Sequence, residues 1–209
     1  MPKKSRRAAE SPAWENVRDL AFGAASLGAS SPVGYVFAST LVPVLRPVTD
    51  YAVASFPQGV GILSGAADLM RRIRTEFKYD PKATVISTPL TEVFERRHGV
   101  YQDFAHVMIA GLRGLGLPAA YVSGYLRTIP RAGEKRLEGS DAMHAWVMVW
   151  CGDDFGWCGL DPTNALIVAD DHVALAVGRD YADVAPIDGV VFSYGAQQLK
   201  VAVDVIPVG

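Results

Sequence analysis

Three residue positions in this chain carry the types and spacing that chemistry needs. The first is the helix start GVYQDFAH, Gly99 to His106. The second is His144 in DAMHAWV, and the third is Asp161 in LDPTN. If two strands run antiparallel on either side of Cys151–Gly156, the histidine at the head of one and the aspartate at the end of the next reach the same sheet edge. An aspartate there fixes an imidazole in one tautomer and stabilises its protonated form. A helix N-terminus facing that pair presents free backbone N–H groups and a positive partial charge, which favours a thiolate or an oxyanion. The arrangement is two-thirds of a nucleophile–His–Asp site, with the third place at Tyr101.

The elements that must position these residues are legible as patterns. Trp14, Val17, Leu20, Ala21 and Ala24 repeat at helical spacing from Pro12 to about Ala25, with Ser11 as a cap. Leu63, Ala67, Met70, Ile73 and Phe77 share a helical face. The helix from about Tyr101 to Leu115 is apolar on a wide stripe through Phe104, Ala105, Met108, Ile109 and Leu112, so it is central. Gly116 suits its C-terminal cap and Pro118 stops it. After Pro118 the period becomes two: PAAYVSGYLRTI, HAWVMVWC and GWCGLDPT read as strands, followed by HVALAVG, GVVFSYG and QLKVAVDVIPV. Helices first and strands after predict an α+β fold with a mostly antiparallel sheet packed on helices.

Composition narrows the function. The chain has 209 residues, enough for one sizeable domain, and its net charge of −2 gives no electrostatic case for a nucleic-acid partner. Residues 1–11 carry a basic cluster (Lys3, Lys4, Arg6, Arg7) and read as a disordered, solvated terminus; residues 12–209 read as a single domain, with residues 28–59 an irregular arm rich in Gly, Ser, Pro and Thr. No apolar run reaches membrane-spanning length and no apolar core follows the basic start, so neither a membrane nor a leader is expected, and the default address is cytoplasmic. Two cysteines are too few for a disulfide scaffold. Cys158 lies an odd number of residues from Asp161 and points to the other face, while Cys151 sits at the far end of its strand, so neither replaces the nucleophile.

Four histidines without paired spacing predict no metal site and no cofactor. Asp103 is expected to favour the helix start, His106 to be packed, and His98 and His172 to lie at the surface or in turns. Glu92, Glu95, Arg96 and Arg97 read as a solvated face. Met143 and Trp146 are candidate walls of a substrate cleft, Trp146 being on the same strand face as His144. GLRGLG follows a helix rather than a strand and is not a phosphate loop.

The segments STPLTEVFERRHGVYQDFAHVMIAGLRGLGLPAAYVSGYL, SDAMHAWVMVW, GWCGLDPTN and VGRDYADVAPIDGVV together resemble the bacterial transglutaminase-like proteins of the papain-like cysteine protease group. The resemblance implies a transglutaminase-like, papain-like core. In that family the helix begins GVCQDFAH, its cysteine being the nucleophile. Carried over by position, His144 is the base, Asp161 orients it, and Tyr101 stands where the thiol stands. Met143 also departs from the family, which usually has a small residue before the histidine. Family members commonly carry a β-rich domain ahead of the catalytic one, and 209 residues leave no room for it.

A phenol has a reference pKa of about 10 against about 8.5 for a thiol, and its oxygen lies several ångströms farther from the backbone. The resemblance therefore predicts a noncatalytic triad, a pseudoenzyme that binds a peptide, a small acyl-amide ligand or a protein partner. The alternatives are an enzyme acting on amide or acyl substrates by acid–base chemistry of His144, Asp161 and Tyr101, and a variant copy of a cysteine-dependent enzyme.

Overall fold

The computed structural model describes residues 10–24, 26, 28, 30–127, 142–185, 194–195 and 202–206. Among the described residues five helices precede the main sheet: α1 (Trp14–Phe22), α2 (Arg46–Val53), α3 (Ile62–Glu76), α4 (Leu90–Arg96) and α5 (Tyr101–Gly114). Two short strands, β1 (Lys78–Tyr79) and β2 (His98–Gly99), pair in parallel and bring Tyr79 beside the start of α5. The main sheet comprises β3 (Ala119–Leu126), β4 (Ala142–Trp150), β5 (Trp157–Asp161), β6 (Leu166–Ile167) and β7 (His172–Gly178), in the order β6-β5-β4-β3-β7 and antiparallel throughout. The α+β class and the antiparallel sheet are as the pattern predicts.

Helix α5 is the core element. Phe104, Ala105, Met108, Ile109 and Leu112 are fully buried between the sheet and the other helices. It ends where the sequence places its stop. Gly116 adopts a left-handed φ of 76°, the Leu117 N–H donates to the Leu112 carbonyl and the Gly116 N–H to that of Arg113, the paired bonds of a Schellman cap. At its start the Asp103 carboxylate accepts the Val100 N–H at 2.9 Å. Gly99 makes room for that bond, since a Cβ there would stand 2.7 Å from the carboxylate oxygen.

Several expectations need correction. Residues 28–59 are not irregular throughout: a 3-10 turn spans Pro32–Tyr35, and α2 packs directly on α5. Ser11, placed with the disordered terminus, is buried and accepts the Leu63 N–H. It caps no α1; Ala13 precedes that helix without a side-chain cap. Arg97 does not belong to a solvated face. Its guanidinium lies over the rings of Phe94, Phe77 and Tyr51 at 4.2, 4.6 and 4.7 Å. Residues 1–9 and the segment GVVFSYG as far as Ser193 lie outside the described residues, as does most of QLKVAVDVIPV, whose described part, 202–206, holds no strand.

The buried Arg113 ties the body together. From α5 it donates to the carbonyls of Tyr35, Ala119 and Arg179 and to the Ser39 hydroxyl. Burial lowers its pKa to about 10, still charged at neutral pH, with Asp180 opposing the shift.

Candidate active site

β4 and β5 pair with Val147 opposite Leu160 and Trp150 opposite Trp157, and this register sets Asp161 beside the His144 end of β4. His144 Nε2 lies 2.8 Å from Asp161 Oδ2, and both residues are buried. Burial alone would raise the Asp161 pKa; the hydrogen bond and charge of His144 outweigh it and hold the carboxyl below its ordinary range, with Asn164 and His172 adding to them. The aspartate is ionised and accepts, so the His144 nitrogen facing it, Nε2, is the donor of this bond.

The turn after β5 reinforces this geometry. Asp161 Oδ1 accepts the backbone N–H groups of Thr163 and Asn164 at 2.9 and 3.2 Å, and the Asn164 amide donates to Oδ2 at 2.8 Å. Ala165 pays for the return into β6 with a left-handed φ of 56°. The turn therefore holds one carboxylate in one orientation.

His172, expected at the surface or in a turn, is the principal residue that sequence reasoning missed. It opens β7, two strands away from β4 in the order β4-β3-β7, and its side chain is only 3% exposed. Its Nε2 lies 3.3 Å from Asp161 Oδ2. Trp146 packs edge-on against it, with ring centroids 5.2 Å apart. Trp146 is 2% exposed and so backs the site from within the core rather than lining the cleft. His144, Asp161 and His172 thus offer three ligand atoms, all within 4.8 Å of one another, where no metal cluster was expected from spacing. The signal was the HVALAVG strand itself, but its sheet position cannot be read without the crossover past β3.

Tyr101 begins α5 and its ring meets the His144 ring edge to face, centroids 5.5 Å apart. No hydrogen bond joins the phenol to the imidazole among the described residues. Burial raises the phenol pKa, with the neighbouring Tyr79 and Tyr181 raising it further, so the group stays protonated at neutral pH. Beside these rings an open cleft of about 480 Å³ is lined by Tyr79, Tyr101, Met143, His144 and Asn164, with Arg74 and Arg127 also on its wall.

The other candidates fall away from the cleft. Asp103 caps α5 and also accepts the Thr84 hydroxyl at 2.6 Å; burial raises its pKa. His106 is packed, its Nε2 accepting the Tyr181 N–H at 3.2 Å. His98 sits in β2 with Nδ1 2.6 Å from the Arg96 carbonyl. Cys151 is buried beyond β4, and its hydrogen bond with Cys158 and its burial push the thiol pKa far up. Cys158 pairs with Val149, five residues and so ~17 Å along β4 from His144.

Residues 58–162 match the family model of the transglutaminase-like superfamily. An uncharacterized protein of Mycobacterium tuberculosis, Rv2569c, is 44% identical over 164 residues, covering 77% of this chain and 52% of that protein. A protein-glutamine gamma-glutamyltransferase of Pseudomonas aeruginosa is 30% identical over 133 residues, 57% of this chain and 20% of the relative. Among solved structures, a candidate cysteine protease from Cytophaga hutchinsonii superposes with a TM-score of 0.61 at 25% identity, over 76% of this chain and 50% of that one. The chain spans about half the length of the mycobacterial relative. With the matched segment running from the end of the arm to the Asp161 turn, the chain belongs to the transglutaminase-like superfamily.

Proposed function

We propose that this protein is a transglutaminase-like pseudoenzyme, with Tyr101 in the seat of the nucleophile, that binds a peptide or small acyl-amide ligand in the cleft beside His144. The observation that carries the reading is the Tyr101 ring lodged against the His144 imidazole, where burial keeps the phenol protonated. A protonated phenol is a weak nucleophile, and loss of a triad nucleophile costs on the order of a millionfold in rate. The remaining thiols are remote or buried. The cleft suits the ligand class: aromatic and thioether walls take an acyl chain, and the Asn164 edge offers hydrogen bonds to an amide. A protein partner presenting an extended segment would use the same groups. A cytoplasmic address belongs to this proposal; two free thiols in hydrogen-bond contact suit a reducing compartment.

A second reading has one observation in its favour. The ionised Asp161 and the His144 imidazole form an intact hydrogen-bonded pair with a phenol beside it. Amine release from peptide amides and acyl amides, followed for the native chain, Tyr101→Phe and His144→Ala, separates the two. The proposal expects no turnover by any of them, and saturable binding of an amide ligand that His144→Ala weakens. Turnover by the native chain that collapses in both variants would replace the pseudoenzyme with an acid–base enzyme.

A further inference from the structure

His172 has no role in the reading above, yet its side chain is covered and turned toward an aspartate already well supplied with donors. Asp161 accepts two backbone N–H groups on Oδ1, and His144 and Asn164 approach Oδ2. His172 brings a further nitrogen to Oδ2, while its own Nδ1 is buried without a hydrogen-bond partner among the described residues. Together the ligand atoms of His144, Asp161 and His172 lie within 4.8 Å of one another, close enough for one ion to reach all three. We propose that His144, Asp161 and His172 form a binding site for a divalent transition ion of the zinc type.

The donor set fits this ion. Two imidazoles and one carboxylate suit zinc, cobalt or nickel, whereas magnesium and calcium ask for oxygen ligands. Ligand atoms around a tetrahedral zinc stand about 3.3 Å apart, given metal–ligand distances near 2.0–2.1 Å. The two Asp161–histidine separations, 2.8 and 3.3 Å, sit close to that spacing. The three atoms lie within 4.8 Å of one another, so closure asks for side-chain movements of about 1 Å at most of the pairs. Asp161 is ionised before the ion arrives, and its second oxygen is anchored by the Thr163 and Asn164 amides, which orients the ligand. Ligation through Nε2 places each imidazole's proton on Nδ1. His144 borders the cleft, which gives the ion an entry path and leaves a coordination position for water or a ligand carboxylate.

Binding also changes the site. The ion takes the His144 Nε2 that otherwise faces Asp161, so the ion-bound state has no histidine–aspartate hydrogen bond. The inference rests on the positions of these three side chains and not on the pseudoenzyme reading, and its test reads binding rather than turnover.

The test uses the full chain, stripped with a chelator and titrated with zinc by calorimetry and with cobalt by visible absorption. One equivalent should bind with saturation. In histidine-selective 1H–15N spectra of the unaltered chain, zinc should shift the ring nitrogens of His144 and His172 and leave His98 and His106 in place. His172→Gln, which keeps a hydrogen-bonding side chain near Asp161, should weaken binding by about 100-fold or more, while His98→Ala should not change it. Lack of saturable binding at about 100 μM ion, far above the concentrations at which built zinc sites fill, would overturn the site. So would zinc-induced shifts confined to His98 or His106, or an affinity unchanged in His172→Gln.

Discussion

Acidification should unlatch the segment behind the site, and His106 sets the pH at which this happens. The residue is 4% exposed on α5, and its Nε2 accepts the Tyr181 N–H at 3.2 Å, which requires that nitrogen unprotonated. Burial lowers its pKa from 6.5 to about 4; Asp180 opposes the shift and Arg113 adds to it. The folded protein therefore binds fewer protons than the unfolded chain between these values. This contribution to stability is fully present above pH 6.5 and is lost as pH falls toward 4. At 1.36 kcal/mol per unit, a shift of this size amounts to about 3 kcal/mol at pH 4. Asp103, whose pKa is raised, opposes the trend on the acid side, so the native chain alone does not isolate the term. The assay is urea unfolding of the native chain and of His106→Gln at pH 7, 5.5 and 4.5. The glutamine can still accept from Tyr181 but cannot titrate. The native chain should be the more stable at pH 7 relative to its own value at pH 4.5, with a loss that exceeds the variant's by about 2–3 kcal/mol. Parallel pH profiles for the two proteins would refute the reasoning, because they would place His106 outside the set of groups that titrate on unfolding.

Two further perturbations test the packing that carries the site. At Gly111 an added Cβ would stand 2.9 Å from the Ala52 Cβ on α2, so Gly111→Leu should destabilise the protein by about 1–3 kcal/mol or more in urea unfolding. Arg113→Met should cost about 3 kcal/mol in thermal or urea unfolding, because it strands the carbonyls of Tyr35, Ala119 and Arg179 inside the body; a loss below 1 kcal/mol would show that water reaches those groups.

What the sequence disclosed, and what it withheld, follows from the range over which each signal acts. Helix α5 was legible end to end because its stripe, its Gly116 stop and its Asp103 cap are all local. The His144–Asp161 pair was legible because one short hairpin sets its register. β7 was visible as a strand, but the role of His172 was not, since it depends on β7 lying against β3 rather than at some other edge. α2 was hidden for a different reason. Its eight residues contain a proline near the start and only two buried side chains, Val48 and Ala52, and the partner surface that stabilises it lies some sixty residues later on α5. Arg97 looked solvated because charge alone was read; the aromatic rings beneath it come from α3's end, α4 and α2.

The account turns on the place Tyr101 occupies: the head of α5, against an imidazole that Asp161 holds in position. Tyr101→Cys puts a thiol in that place, and its titration can be followed directly by thiolate absorbance. The account predicts a pKa well below the ordinary value of about 8.5, and a return toward it in Tyr101→Cys/His144→Ala. A thiol that titrates at or above 8.5, indifferent to His144, would contradict it.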